Sequence, residues 1–406
     1  MQEGNHNRFE RREERARVGP SEVPGFLWTL LGLALLMALP PVAGYGDSES
    51  AQEHFRRGTN YLQLHQLDKA ESEFLACLHI APNSPQVYNN LGTIYFMESK
   101  LPEAVSAFTK AYRLQPQDPD ISFNLGLAQY KAGHCSEALP PLKRGLASRQ
   151  HATDGHVLLG ACYVESRQWQ LAVEQLELAR SARPDDAQIL FLLTDAYRHA
   201  KRPKDSLDAA TELMQKYPDS PQAHELLGEA YDVDLQDHQA EEQFKRAISA
   251  SPQAPLLHLD LGYLYWRWKR YDEAVAPLTE ELKINPACPQ CYYCLGDISL
   301  KRGQTDEARN YFQQAARLDP SFGEAYLGIG KLDLQSGKAK DAIAPLERAV
   351  ELIPNKPEPH YLLGRALIET GQTQRGREEL NKVSRMSSTQ EQKDAAVLSG
   401  GSAQKK

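Results

Sequence analysis

Three thiols at a spacing of three, Cys288-Pro-Gln-Cys291-Tyr-Tyr-Cys294, are the densest set of reactive side chains in this 406-residue sequence. Cys288, Cys291 and Cys294 are therefore the metal-site candidates, since closely spaced thiolates supply part of an iron–sulfur or zinc site. A complete site needs a fourth ligand, and none follows at short spacing. In an oxidising compartment the same chemistry gives disulfides instead, with Cys135–Cys162 or Cys288–Cys291 as pairs. The twelve histidines include no HExxH or comparable ligand spacing. The sequence also lacks a phosphate-cradling glycine loop, a nucleophile elbow and a framed carboxylate pair. No catalytic residue and no cofactor is expected.

The elements that hold these residues are set by a lattice of glycines. Gly58, Gly92, Gly126, Gly160, Gly228, Gly262, Gly296, Gly330 and Gly364 share one 34-residue register, broken only by Thr194. Ten units open at Ala51, Pro85, Pro119, Thr153, Ala187, Pro221, Pro255, Pro289, Gly323 and Pro357. The glycine is then slot 8 of each unit. Slot 20 is small, from Ala70 and Ala104 to Ser206 and Gly376, and slot 24 is large and apolar, as in Phe74, Phe108, Leu142 and Phe312. Prolines at slot 32, such as Pro82, Pro116 and Pro184, stop a helix. Pairs such as Ser84-Pro85 and Asp118-Pro119 start one.

That frame reinterprets the reactive residues. His54, His156, His224, His258 and His360 all fall in slot 4, shared with Tyr88, Tyr292 and Tyr326, which is a packing position for flat side chains. Cys291 occupies slot 3 beside Val87, Ile121 and Leu257, and reads as a small core residue.

The 34-residue period with small slots 8 and 20 resembles the tetratricopeptide repeat, a helix–turn–helix unit. The resemblance covers residues 51–390. It implies an all-α fold: a right-handed α-solenoid of about ten repeats, here preceded by one hydrophobic N-terminal helix. It also implies that the first helix of each unit lines a concave face through slots 2, 5, 9, 12 and 13. Carried over, those slots offer Phe55, Asn89, Phe96, Phe123 and Tyr130 in the N-terminal half. The middle offers Asp195, Arg198, Glu225, Glu229 and Asp232. Tyr263, Trp266, Arg267, Tyr293 and Asp297 follow, then Lys331, Tyr361 and Arg365. Slot 5 has no lysine, unlike the chaperone-binding branch that clamps a C-terminal carboxylate. Asn90 and Asn124 at slot 6 make two rungs of the asparagine ladder seen in O-linked N-acetylglucosamine transferases, too few to transfer that function.

The expected function is a non-enzymatic scaffold or adaptor that binds a protein or peptide of mixed charge in this groove. The alternatives are a fixed structural subunit of an envelope assembly or export machine, and a metal or redox protein using the cysteine cluster. Net charge of −8 gives no reason to expect nucleic acid as a partner, and no small-molecule substrate is expected. Unit 5 carries Thr194, Ser206 and Ala210 at the glycine, small and large slots, and unit 3 lacks its closing proline. The array is thus predicted to be least regular between residues 147 and 215.

Ahead of the repeats, residues 1–25 read as a disordered leader of matched arginines and glutamates. Residues 26–45 (FLWTLLGLALLMAL and a Pro-Pro pair within an uncharged run) read as a signal peptide or a single transmembrane anchor. Either version places the repeats across a membrane, periplasmic or extracellular. No cysteine lies near residue 44 for a bacterial lipoprotein anchor. Residues 391–406 are expected to form a flexible tail.

Overall fold

The computed structural model describes residues 48–400. The segment 26–45, expected to be an apolar helix, lies outside the described residues. Among the described residues there are twenty helices and no strand, and no helix is long and apolar enough to cross a membrane. Contacts divide the chain at Tyr217–Pro218 into two units.

The first unit is a stack of five helical hairpins. They are α1 (Ser48–Gln63) with α2 (Leu67–Ile80), α3 (Pro85–Met97) with α4 (Leu101–Leu114), and α5 (Pro119–Lys131) with α6 (Cys135–Gly145). Next come α7 (Ala152–Glu165) with α8 (Trp169–Ala182) and α9 (Ala187–His199) with α10 (Pro203–Lys216). The second unit holds α11 (Pro221–Val233) with α12 (Asp237–Ala250), α13 (Leu257–Arg267) with α14 (Tyr271–Ile284), and α15 (Pro289–Lys301) with α16 (Thr305–Leu318). It closes with α17 (Gly323–Gln335) and α18 (Ala339–Leu352), then α19 (Pro357–Glu369) and α20 (Thr373–Gly400). Within each unit every hairpin packs on the next, as expected of a quasi-one-dimensional array.

Local chemistry sets the hairpin ends. The Asp118 carboxylate accepts the N–H groups of Asp120 and Ile121 at 2.9 and 3.1 Å, and Asp186 does the same for Gln188 and Ile189. These bonds satisfy amides that a helix start leaves unpaired. Every hairpin turns through a left-handed residue at slot 15. It is Gly133, Gly303, Gly337 and Gly371 in four turns and His65, Ser99, Arg167, Lys201, Leu235 and Lys269 in six, with φ between 54° and 86°. The residue after it returns its N–H into the helix, as Lys100 does to the Tyr95 carbonyl at 2.8 Å, which closes the helix end.

The core of each hairpin is a knob seated on a bare backbone. A Cβ placed on Gly92 would lie 2.6 Å from the ring of Phe108, and one on Gly126 2.6 Å from Leu142. Slot 8 is thus emptied for the slot-24 knob, while the slot-20 alanines, such as Ala70, Ala104 and Ala138, are fully buried beside it. Thr194 reverses this arrangement. Its partner at slot 24 is Ala210, both are fully buried, and the lost knob volume makes room for the threonine. The Thr194 hydroxyl donates to the Leu190 carbonyl, and Ser206 donates to that of Thr194, both at 2.8 Å. The irregularity predicted for this hairpin is therefore absent: α9 and α10 have the 13- and 14-residue lengths of their neighbours.

Three departures do occur. Helix α6 stops at Gly145 after 11 residues, so the predicted irregularity is confined to the α6–α7 connection. Helix α13 begins at Leu257, two residues after its expected start, with Leu256 at φ 76°. Helix α20 runs to Gly400, beyond the tail boundary drawn at 390, because no proline or strong breaker interrupts the polar helix formers after Gly376.

Candidate binding groove

The slot-4 histidines are hairpin clips. Nδ1 of His54, His156, His224 and His360 lies 2.6, 2.9, 2.8 and 2.5 Å from Glu73, Gln175, Gln243 and Glu379 respectively. Each partner is nineteen residues on, at slot 23 of the facing helix. His258 instead reaches the Pro252 carbonyl at 3.0 Å. Imidazoles held this way position helices, and they converge on no common centre.

The cysteines pair. Cys135 and Cys162, on α6 and α7, form a disulfide with Cα atoms 5.1 Å apart, and Cys288 and Cys291 form another at 5.4 Å; both spacings suit such bonds. Cys288 caps α15, its sulfur accepting the Cys291 N–H at 3.1 Å. Cys294 remains a thiol, fully buried like the other two. A disulfide consumes two of the three thiols that a metal site there would use.

In the first unit most of the expected groove rings are packing residues. Phe55 is 8% exposed and lies 5.8 Å from Phe74. Phe123 stacks on His151 at 4.3 Å, and burial pushes the pKa of that imidazole down. Phe96 is half-buried against the cluster of Ala104, Phe108, Leu125 and Ala128. Tyr130 is buried, with no hydrogen-bond partner for its hydroxyl, and desolvation raises its phenol pKa. Asn89 is buried and accepts the Asn124 side-chain amide at 3.0 Å. Asp195 and Arg198 pair at 2.8 Å, with His199 Nε2 3.5 Å from the same carboxylate.

The second unit is similar in its first half. Tyr263, Trp266 and Tyr293 form a run of rings with centroids 5.4 and 6.0 Å apart, which Phe312 and Phe322 continue. The Trp266 indole N–H donates to Asp297 at 2.9 Å. Arg267 pairs with Asp232 and lies 3.3 Å from Asp237. Glu225, Glu229 and Asp260 each bring a carboxylate oxygen to within 4.8 Å of the others. Glu225 and Glu229, two of the expected groove residues, are thus joined in this unit by Asp260, which lies at slot 6, outside the expected groove slots. At the C-terminal end Lys331 pairs with Glu358 at 2.7 Å and the Arg365 Nε donates to Glu369 at 3.0 Å. Tyr361 stays half exposed.

Each unit has an open cleft among the described residues. That of the first unit, about 20 Å³, is bounded by Phe55, Gln86, Asn89, Asn90, Asp118, Asp120 and Ile121. That of the second, about 250 Å³, lies among Leu300, Lys301, Lys331, Leu334, Gln335, Glu358, Leu362 and Arg365. The first is fed by α1, α3 and α5 and the residue capping α5, the second by α15, α17 and α19. All are first helices of their hairpins, and no second-helix residue lines either cleft. Asn89, Lys331 and Arg365 were expected at such positions. Gln86, Asp120 and Lys301 occupy slots 2 and 13, already on the groove list, while Leu362 at slot 6 does not.

A tetratricopeptide repeat profile matches residues 123–187, 163–221, 238–289 and 293–357. A second repeat profile of the type matches 93–133 and a third tetratricopeptide profile 333–392. No curated protein matches the sequence. Among solved structures the chain is similar to that of the APC/C hetero-tetramer Cut9-Hcn1, at 14% identity and a TM-score of 0.52, over 79% of this chain and 77% of that one. It is also similar to yeast Tom70, at 13% identity and 0.43 over 88% and 96%. YrrB, a TPR protein with an unusual peptide-binding site, gives 18% and 0.40 over 44% and 96%. With the 34-residue hairpins seen in both units and a profile match over more than half of its length, the chain belongs to the tetratricopeptide repeat family.

Proposed function

We propose that the array is a non-enzymatic scaffold that captures an extended protein segment along the face built by the first helices of its hairpins. One observation carries this reading: each unit has an open cleft lined by first helices and the residue capping one of them, with no second-helix residue in its lining. Grooves of this kind suit peptides, whose backbone and side chains reach several helices at once. The test is site-specific crosslinking with phage-displayed random peptides selected on the full chain. A photoreactive benzoylphenylalanine in place of Gln86 or Gln335 should crosslink selected peptides. The same group at Leu75 or Leu178, exposed on second helices, should not. Equal labelling from both faces counts against the proposal.

We further propose that residues 26–45 send the repeats across a membrane or hold them on its far side. The disulfides Cys135–Cys162 and Cys288–Cys291 support this, since such bonds persist in oxidising compartments. Mass measurement of the mature N-terminus separates the cleaved and anchored versions. A chain with reduced cysteines recovered from the cytosol would oppose both.

A further inference from the structure

We infer that the cleft of the second unit takes a peptide segment carrying acidic side chains three to four residues apart, a partner class that rests on the scaffold reading above. The chain as a whole carries a net charge of −8, yet this cleft is lined by Lys301, Lys331 and Arg365 against a single carboxylate, Glu358. Leu334 and Leu362, each under a tenth exposed, form its apolar floor. The cations come from three consecutive first helices, α15, α17 and α19, which touch in sequence.

Charge alone would make this a general anion patch; geometry narrows it. Lys331 and Arg365 occupy the same slot on neighbouring helices, and packed helices lie about 8–10 Å apart. A segment in the polyproline II conformation advances about 3.1 Å per residue with three residues per turn, so every third side chain returns to the same face about 9 Å on, from one cation to the next. Lys301 sits one turn further along its helix, about 6 Å at 1.5 Å per residue, and its carboxylate partner falls three or four residues away. Donor capacity is also sufficient. The Glu358 bond uses one of the three N–H donors of Lys331, and the Glu369 bond uses one of the five of Arg365. Carboxylates of an incoming segment share these cations, while its apolar side chains meet the leucines. Glu358 repels such a segment and limits its affinity.

The probe is an acetylated, amidated and fluorescein-labelled dodecapeptide with glutamate at every third position and leucine and serine between. Blocked ends keep terminal carboxylates out of the measurement. Fluorescence polarisation with the full chain should show binding that falls at least tenfold when the glutamates become glutamines. It should also fall at least tenfold in Lys331→Glu, Lys301→Glu and Arg365→Glu, while Glu358→Gln strengthens it severalfold. A gain of affinity on losing one carboxylate is not something a damaged fold produces. Equal binding of the glutamine peptide, or indifference to all four substitutions, overturns the acidic partner. Equal binding of a peptide with its glutamates contiguous overturns the spacing. If the displayed peptides that crosslink at Gln335 show no acidic enrichment and the probe does not bind, this inference fails and the scaffold reading stands. If no displayed peptide crosslinks in either cleft, both fail.

Discussion

Leu235 shows how much conformational cost one side chain carries here. It is 64% exposed and holds φ at 61°, a region that costs an L-residue about 1–2 kcal/mol. Four of the ten hairpin turns use glycine at this slot. Leu235→Gly should raise stability by about 0.5–1 kcal/mol, since the strain relieved exceeds the about 0.5–1 kcal/mol that glycine loses in chain entropy. A shift of the urea midpoint to higher concentration checks it. Glu281 is a different case. Slot 27 is small in most repeats, yet here a fully buried carboxylate accepts the N–H groups of Leu256 at 2.8 Å and Leu259 at 3.4 Å. It replaces the cap that α13 lacks. Desolvation raises its pKa, and the two backbone N–H groups only partly oppose that. A carboxyl with a raised folded pKa favours the native state at pH below the ordinary glutamate value, and that contribution is lost as pH climbs through the raised value. Glu281→Gln cannot ionise and still accepts hydrogen bonds. Its stability relative to wild type should therefore increase from pH 4 to pH 8, as read from denaturant midpoints. A gap independent of pH would show that the Glu281 carboxyl has the same pKa in the folded and unfolded chain.

At the scale of the hairpin, Thr194 and Ala210 form a swapped pair within an otherwise uniform set. Ala210→Leu alone drives a knob into the threonine and should cost about 1–3 kcal/mol. Thr194→Gly alone leaves an unfilled volume in a helix interior and should cost about 1 kcal/mol or more. The double variant rebuilds the Gly126–Leu142 type of contact and should recover most of both losses. Such non-additivity is the signature of direct contact, and a thermodynamic cycle on the three variants measures it. The glycine lattice was legible in the sequence because slots 8 and 24 meet within one hairpin, so each repeat states the rule independently. The late start of α13 was not. It depends on a carboxylate 25 residues downstream of Leu256, and periodicity carries no signal for such a bond beyond the odd residue at slot 27. Ring burial was equally hidden. The slot shows which way Phe123 faces, but only the neighbouring His151 decides that it is covered.

At the scale of the chain, the two disulfides should contribute very differently. Cys135–Cys162 spans 27 residues and ties the third hairpin to the fourth, whereas Cys288–Cys291 spans 3. Loop-closure entropy puts the first near about 3–4 kcal/mol and the second well below it. Cys135→Ser with Cys162→Ser should therefore lower the melting temperature clearly, and Cys288→Ser with Cys291→Ser much less. Differential scanning calorimetry of both pairs without reductant makes the comparison, and equal losses would contradict the loop argument. Groove positions were legible in part from the sequence: the slot pattern names the lining helices but not which cations remain at the cleft. Arg267 and Lys331 both belong to the groove list, but Arg267 is drawn toward Asp232 and Asp237 while Lys331 stays at an opening. That outcome depends on the acidic residues of the adjacent repeat.

The Cys135–Cys162 link also bears on how such a chain can change its copy number. Because its hairpins share one turn conformation and one period, unequal recombination can duplicate or delete a block of 34 residues and keep the hairpins in register. The covalent tie restricts where that can happen. Descendants that gain or lose units should do so on either side of residues 135–162, and an insertion between those cysteines would separate the bonded pair.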